Sequence, residues 1–296
     1  VDYTASNYCF RLSGSSSDNV FNRLYLHNFN AGFLIRGTIK EPHPDGTTIQ
    51  HSRFDRMSDR GIDSDKVAIL LTGEGYNKDG TILNTHILNN EIINCNDGVM
   101  LVRYEGFIHH TNYPGTVIDG NDIYVTEEVY TDCEGNNDPG GDCAFTENAI
   151  DIKGGSKDDS RPVIISNNYM AGFRRTDKNG GGSGGWSAAL VGHFGAENLI
   201  VENNVVANAN RGIGFSAPQV YDYSVTNVDV RNNILYDIGH DDIGRIQYNN
   251  YFNGAYKARF ENNIIVNKDK RSSRWMSFEQ KERELVVACH HVISAD

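Results

Sequence analysis

Six stretches of this chain repeat one arrangement, a β-prone apolar run, then Asn-Asn, then a second apolar run. They are Ile87-Leu88-Asn89-Asn90-Glu91-Ile92, Ile164-Ile165-Ser166-Asn167-Asn168-Tyr169-Met170 and Ile200-Val201-Glu202-Asn203-Asn204-Val205-Val206, followed by Val230-Arg231-Asn232-Asn233-Ile234-Leu235, Gln247-Tyr248-Asn249-Asn250-Tyr251-Phe252 and Phe260-Glu261-Asn262-Asn263-Ile264-Ile265. A looser copy, Val117-Ile118-Asp119-Gly120-Asn121-Asp122-Ile123, lies between the first two. Repeats spaced by roughly 20 to 50 residues are the signature of stacked solenoid coils. Asn tolerates the left-handed backbone of a sharp corner, and Asn side chains stacked along an axis can hydrogen-bond to one another. The competing reading is a β-sandwich with Asn-Asn hairpins. Two-residue hairpins favour Asn-Gly, however, and here another apolar strand follows the pair at once.

A second element alternates with the first. Ala31-Gly32-Phe33-Leu34-Ile35-Arg36, Arg60-Gly61-Ile62-Asp63-Ser64-Asp65, Asp97-Gly98-Val99-Met100-Leu101 and Asn148-Ala149-Ile150-Asp151-Ile152-Lys153 each place a small residue ahead of a strand. Ser187-Ala188-Ala189-Leu190-Val191-Gly192-His193 and Arg211-Gly212-Ile213-Gly214-Phe215-Ser216 continue the series. Two alternating motifs predict at least two strands and two corners per coil. The predicted fold is all-β, a right-handed parallel β-helix over residues 1–267. The remaining segment, 268–296, turns basic and then shows apolar residues at Phe278, Leu285, Val286, Cys289 and Val292, a spacing that predicts an amphipathic helix closing the solenoid. No such cover is legible at the N-terminus, which hints at lost upstream sequence.

Laid in register, the strands predict an outward column in which Leu34, Asp63, Met100, Leu190 and Gly214 take the position of Asp151. Arg36, Asp65, Val102, Gly192 and Ser216 take that of Lys153. A functional strip is therefore expected near Asp63, Asp65, Arg103, Tyr104, Asp151, Lys153 and His193. Two long loops flank it, 131–146 and 174–186, and the second carries Arg174, Arg175 and Trp186 as candidate sugar contacts. Asp151 beside Lys153 can be a catalytic pair or a solvated ion pair, and the residues alone leave both readings open.

Charge narrows the partners. Acids outnumber bases 39 to 27, so nucleic acid and anionic membranes are disfavoured, and no apolar run is long enough to span a bilayer. The same excess would repel an acidic polysaccharide unless a divalent cation or a local basic patch intervened. Of five cysteines, Cys133 and Cys143 flank a Gly/Asn/Asp loop that a disulfide would close in an oxidising compartment. Cys9, Cys95 and Cys289 are expected to be buried thiols.

The small-residue strands, the Asn-Asn corners and the Asp-x-Lys run together resemble β-helix polysaccharide lyases of the alginate lyase and chondroitinase B type, over roughly residues 30–267. The resemblance implies a secreted or periplasmic enzyme that cleaves a uronic-acid polysaccharide by β-elimination. It implies Lys153 as base, and calcium held by Glu147, Asn148 and Asp151, with Asp63 and Asp65 as further candidate ligands. The family's Glu-x-Glu run is reduced here to the single Glu147. Its arginine on the next coil is missing, so His193, Arg174 or Arg175 would have to replace it. Arg103, Tyr104, Arg175 and Trp186 are the expected substrate contacts. A glycoside hydrolase on the same scaffold, with two of Asp63, Asp65 and Asp151 as its carboxyls, is the alternative enzyme. A glycan-gripping module without catalysis is the alternative outside enzymology. Oligomeric state is not legible.

Overall fold

Each Asn-Asn pair divides its labour between backbone and side chain. In a computed structural model of the chain, the first Asn of the pair (Asn89, Asn167, Asn203, Asn232, Asn262) adopts φ between 52° and 58°, the left-handed turn that bends one strand into the next. Gly120 does the same at the looser copy. The second Asn points inward and is buried. The structure describes residues 8–27, 29, 31–57, 67–73, 80–102, 111–128, 147–174, 188–193, 195–216, 225–238, 250–253, 255–267, 277–279, 285–288 and 291–294.

The inward asparagines form a continuous ladder. Asn90 Nδ2 donates to Asn121 Oδ1 at 3.0 Å, Asn121 to Asn168 at 2.9 Å, and Asn168 to Asn204 at 3.0 Å. Asn204 donates to Asn233, and Asn233 to Asn263, both at 2.9 Å. The same Oδ1 atoms accept the backbone N–H of the preceding rung, and each Nδ2 also donates to a strand carbonyl behind it. Every rung thus satisfies the corner groups of its neighbour, which would otherwise be buried without partners.

Among the described residues these corners give three parallel sheets of nine strands each, hydrogen-bonded rung to rung, with a further two-stranded parallel pair at Gly80–Thr81 and Thr111–Asn112. The first sheet comprises Tyr8–Ser13, Ala31–Arg36, Val67–Thr72, Asp97–Leu101, Asn148–Ile152, Ala188–His193, Arg211–Ser216, Asn250–Asn253 and Ser277–Glu279. The second runs from Val20–Asn22 to Leu285–Ala288, the third from Tyr25–His27 to His291–Ser294. A chain that passes from sheet to sheet and always returns one rung higher is a right-handed parallel β-helix. Its core is a stack of Ile, Val, Leu and Phe, among them Phe33, Ile69, Val99, Ile150, Ile165, Val201 and Phe260. Each such side chain contributes about 1.5–3 kcal/mol on burial.

The small residue before each first-sheet strand is explained by what lies over it. A Cβ at Gly98 would stand 2.5 Å from the Ala149 carbonyl oxygen and 2.6 Å from Ile123 Cγ2. Ala149 therefore points inward with Ile150 and joins the core, and only Asp151 and Lys153 follow the alternation to the outside.

Three sequence expectations are corrected. The third rung is Val67–Thr72, not residues 60–65, so Leu70 and Thr72 occupy the positions expected for Asp63 and Asp65. The register at 188–193 is shifted by one, since Asp151 pairs with Val191 and Ile152 with Gly192. His193, not Gly192, is then the neighbour of Lys153. The helix expected over the tail is replaced by strands that add a ninth rung, with Phe252 pairing Phe278, Phe260 pairing Val287 and Ile265 pairing Val292. An edge rung of a parallel sheet offers unpaired N–H and C=O groups, and a β-branched run satisfies them better than a helix can.

Candidate functional site

One outward column of the first sheet is apolar over three rungs, with Leu70 where Asp63 was expected. Leu34, Leu70 and Met100 stack in one column, buried together with Val67, and the half-buried Tyr8 and Val102 pack against them. The next residue in that column is Asp151, only 1% exposed. Above it the column reverts to Val191 and Gly214.

A carboxylate in that position needs partners, and it has two. Lys153 Nζ lies 3.2 Å from Asp151 Oδ2, and His193 Nε2 lies 2.8 Å from Asp151 Oδ1. Burial alone would raise the Asp151 pKa. The charges of Lys153 and His193, with hydrogen bonds from both, more than offset it and hold the carboxyl below its ordinary range. Because Asp151 is ionised, His193 Nε2 carries a hydrogen and donates it to Asp151 Oδ1. Strand geometry sets these contacts. Lys153 follows Asp151 by two residues on the same face, and His193 occupies the Lys153 position one rung higher, about 4.8 Å away.

Lys153 and His193 keep 16% and 13% of their side chains in contact with solvent, whereas Asp151 sits behind them. The arrangement is an anchored pair, an ammonium and an imidazole fixed side by side by one buried carboxylate. It can bind an anion, and it can accept and donate protons at two atoms one rung apart.

The other expected site residues distribute differently. Asn148 belongs to a structural column, its backbone N–H donating to Asp97 Oδ1 at 3.1 Å and its own Oδ1 accepting from Ala188 N–H at 3.4 Å. Glu147 marks the corner before the strand, where its N–H donates to the Asn96 carbonyl. Both Asp151 oxygens are engaged by nitrogen donors, and Asn148 is tied into its column. Among the described residues no group of three or more His, Cys, Asp or Glu side chains could hold a metal ion.

Arg174 stands at the corner leading into the first sheet, beside Phe173, whose carbonyl accepts from Asn210 N–H. Lys153 and His193 leave that sheet at its other edge, a strand length of about 16 Å away at ~3.3 Å per residue. Arg174 instead pairs with Glu127 at 2.5 Å. Asp63, Asp65, Arg103, Tyr104, Arg175 and Trp186 lie outside the described residues, as do Cys133, Cys143 and Cys289. Cys95 is a buried free thiol whose pKa burial pushes up to about 12, and Cys9 is free and half-buried.

What sequence reasoning missed was the adjacency of Lys153 and His193. The signal was available in Ala188-Ala189. If Ala189, rather than Ala188, is taken as the small inward residue, the register moves by one and brings His193 beside Lys153.

No protein-family model and no curated protein matches the chain. Among solved structures, it is similar to a mutant tailspike protein of Escherichia coli bacteriophage HK620 in complex with a pentasaccharide, at 12% identity and a TM-score of 0.51 over 98% of this chain and 53% of that one. A second mutant of that tailspike, in complex with a hexasaccharide, gives 11% identity and a TM-score of 0.50, with 98% and 52% covered. The chain thus spans about half the length of these structures. At such identities the likeness is one of fold, the parallel β-helix.

Proposed function

We propose that this chain acts on an acidic polysaccharide, bound along the outward face of the first sheet, and cleaves it by β-elimination at the Lys153–Asp151–His193 cluster. The observation that carries the reading is the anchored pair itself. A buried carboxylate follows Leu34, Leu70 and Met100 in its column and holds two nitrogen groups at the surface. Structural neighbours solved with oligosaccharides add support for a glycan as the ligand class.

The geometry favours an exchange of roles relative to the sequence expectation. Lys153, in ion pair with an ionised Asp151, retains its proton and suits neutralising the uronate carboxylate and protonating the leaving oxygen. The proposed base is His193 Nδ1, with Nε2 held on Asp151. In the step, the C5 proton moves to His193 Nδ1 and its electron pair forms the C4=C5 double bond. The C4–O bond breaks, and the leaving oxygen takes the Lys153 proton. Exchange with solvent resets both groups. Asp151 positions them and touches no reacting atom. No step requires calcium. A polymer substrate of this kind fits a secreted or periplasmic protein.

The test is a panel of alginate, pectate, chondroitin sulfate and heparin, with and without EDTA. The reading predicts an ultraviolet-absorbing unsaturated product from at least one polymer, insensitive to EDTA and abolished by both Lys153→Ala and His193→Ala. New reducing ends without that absorbance would identify a hydrolase. Binding without either product would identify a gripping module.

A further inference from the structure

The acid-rich composition leaves a puzzle about any anionic polymer, and the same outward face of the first sheet offers an answer. Five arginines elsewhere are paired with carboxylates, and Arg161 hydrogen-bonds Asn84 Oδ1. Arg53 meets Asp55 and Glu91, Arg56 meets Glu128, Arg174 meets Glu127, Arg231 meets Glu202 and Asp229, and Arg259 meets Glu261. Arg11 and Arg36 are different. No carboxylate of the described residues pairs with either, and Arg36 Nε is buried without a hydrogen-bond partner. They stand one rung and two residues apart, since Arg11 pairs with Leu34 and Ser13 with Arg36, a diagonal that two long side chains can close. Burial, then the nearby Arg11 charge, lower the Arg36 pKa, and Tyr8 opposes them in part.

Position makes this more than a local oddity. Arg36 pairs with Thr72, Val102 N–H bonds to the Leu71 carbonyl, and Lys153 N–H bonds to the Leu101 carbonyl, so Arg36, Thr72, Val102, Lys153 and His193 form one outward column. Arg36 is three rungs from Lys153, about 14 Å at ~4.8 Å per rung. Among the described residues, Arg36 on the column of the Lys153–His193 pair and Arg11 diagonally beside it have no carboxylate partner, an arrangement suited to an external anion.

We infer that Arg11 and Arg36 form an anion-binding subsite for a carboxylate or sulfate carried by the same polysaccharide that reaches Lys153 and His193. The inference rests on the proposed substrate class, and extends it to a second, non-catalytic contact that fixes how the polymer lies along the column. The guanidinium fork suits either oxyanion, and bidentate contact would relieve the repulsion between the two arginines.

The experiment measures binding of the full chain to polygalacturonate (carboxylate only), dextran sulfate (sulfate only) and neutral dextran by affinity electrophoresis. Wild type is compared with Arg11→Gln/Arg36→Gln, Arg36→Lys and, as a charge control on another part of the surface, Arg23→Gln. Circular dichroism establishes that each variant is folded. The double variant is expected to bind its preferred anionic polymer about tenfold or more weakly, Arg36→Lys severalfold, and Arg23→Gln within twofold of wild type. Whichever polyanion shows this loss names the oxyanion. An unchanged double variant, or an equal loss in Arg23→Gln, would overturn the subsite. Loss of binding in the double variant while wild type yields no unsaturated product would retain the subsite and refute elimination. Unchanged binding with abundant product would do the reverse.

Discussion

Two buried polar constructions run through this molecule, and they follow opposite logic. The asparagine ladder repeats in six successive rungs, and each member satisfies the next. The Asp151 cluster occurs once, across two adjacent rungs, breaks an apolar column below it, and directs its hydrogen bonds to groups that face outward. In a solenoid each column supplies its own control. A polar residue that recurs along the stack holds the stack together, and one that departs from its column is there for something else.

The contrast can be broken from either side. Lys153→Ala and His193→Ala should each reduce elimination by about 10²–10⁴-fold, the usual worth of a general acid or base, and should also lower the urea midpoint, because each strips a partner from the buried Asp151 carboxylate. Lost stability with product formation intact would mean that the cluster is only structural. Asn168→Ala should cost stability alone. It strands the Asn121 N–H, one hydrogen of Asn121 Nδ2 and the Ile118 carbonyl, and should cost roughly 4 kcal/mol in urea unfolding.

Asp151→Asn sharpens the comparison through pH. The folded-state pKa of Asp151 is depressed, so its contribution is fully present above the unfolded value near 3.8 and is lost as pH falls through the lower folded value. At pH 7 the variant should be less stable than wild type by about 2 kcal/mol, and that gap should close only below pH 3.8. A gap independent of pH would deny the carboxylate its charge. The smallest effect is expected at Ser52, whose N–H donates to Asn90 Oδ1 one rung before the asparagine ladder begins. Ser52 Oγ accepts from Leu24 N–H and donates to the Gln50 carbonyl, and Ser52→Ala should cost about 1 kcal/mol.

The solenoid was legible because its corners use one residue type for a backbone reason. An Asn in the left-handed region followed by an inward Asn leaves a pair that sequence displays directly. The third rung was harder. Arg60-Gly61-Ile62 and Val67-Ala68-Ile69 carry the same small-then-apolar cue, and only hydrogen bonding to the neighbouring rungs selects the second. In the tail, apolar spacing at 278, 285, 289 and 292 imitated a helical face, although Leu285-Val286-Val287 and His291-Val292-Ile293 are β-branched runs that pair in register. Asp151 and Lys153 could be named from sequence as outward neighbours. That they form a site with His193 could not, because this depends on a register that one extra alanine shifts by a full residue.

The account depends on the Lys153–Asp151–His193 cluster being where a polysaccharide is handled. The most direct test is a crystal structure of the His193→Ala variant soaked with an oligouronate. The account predicts a sugar ring over the first sheet, with its carboxylate within hydrogen-bonding distance of Lys153 Nζ and its C5 facing the space left by the imidazole. An oligosaccharide ordered on the second or third sheet, with the first sheet bare, would contradict it.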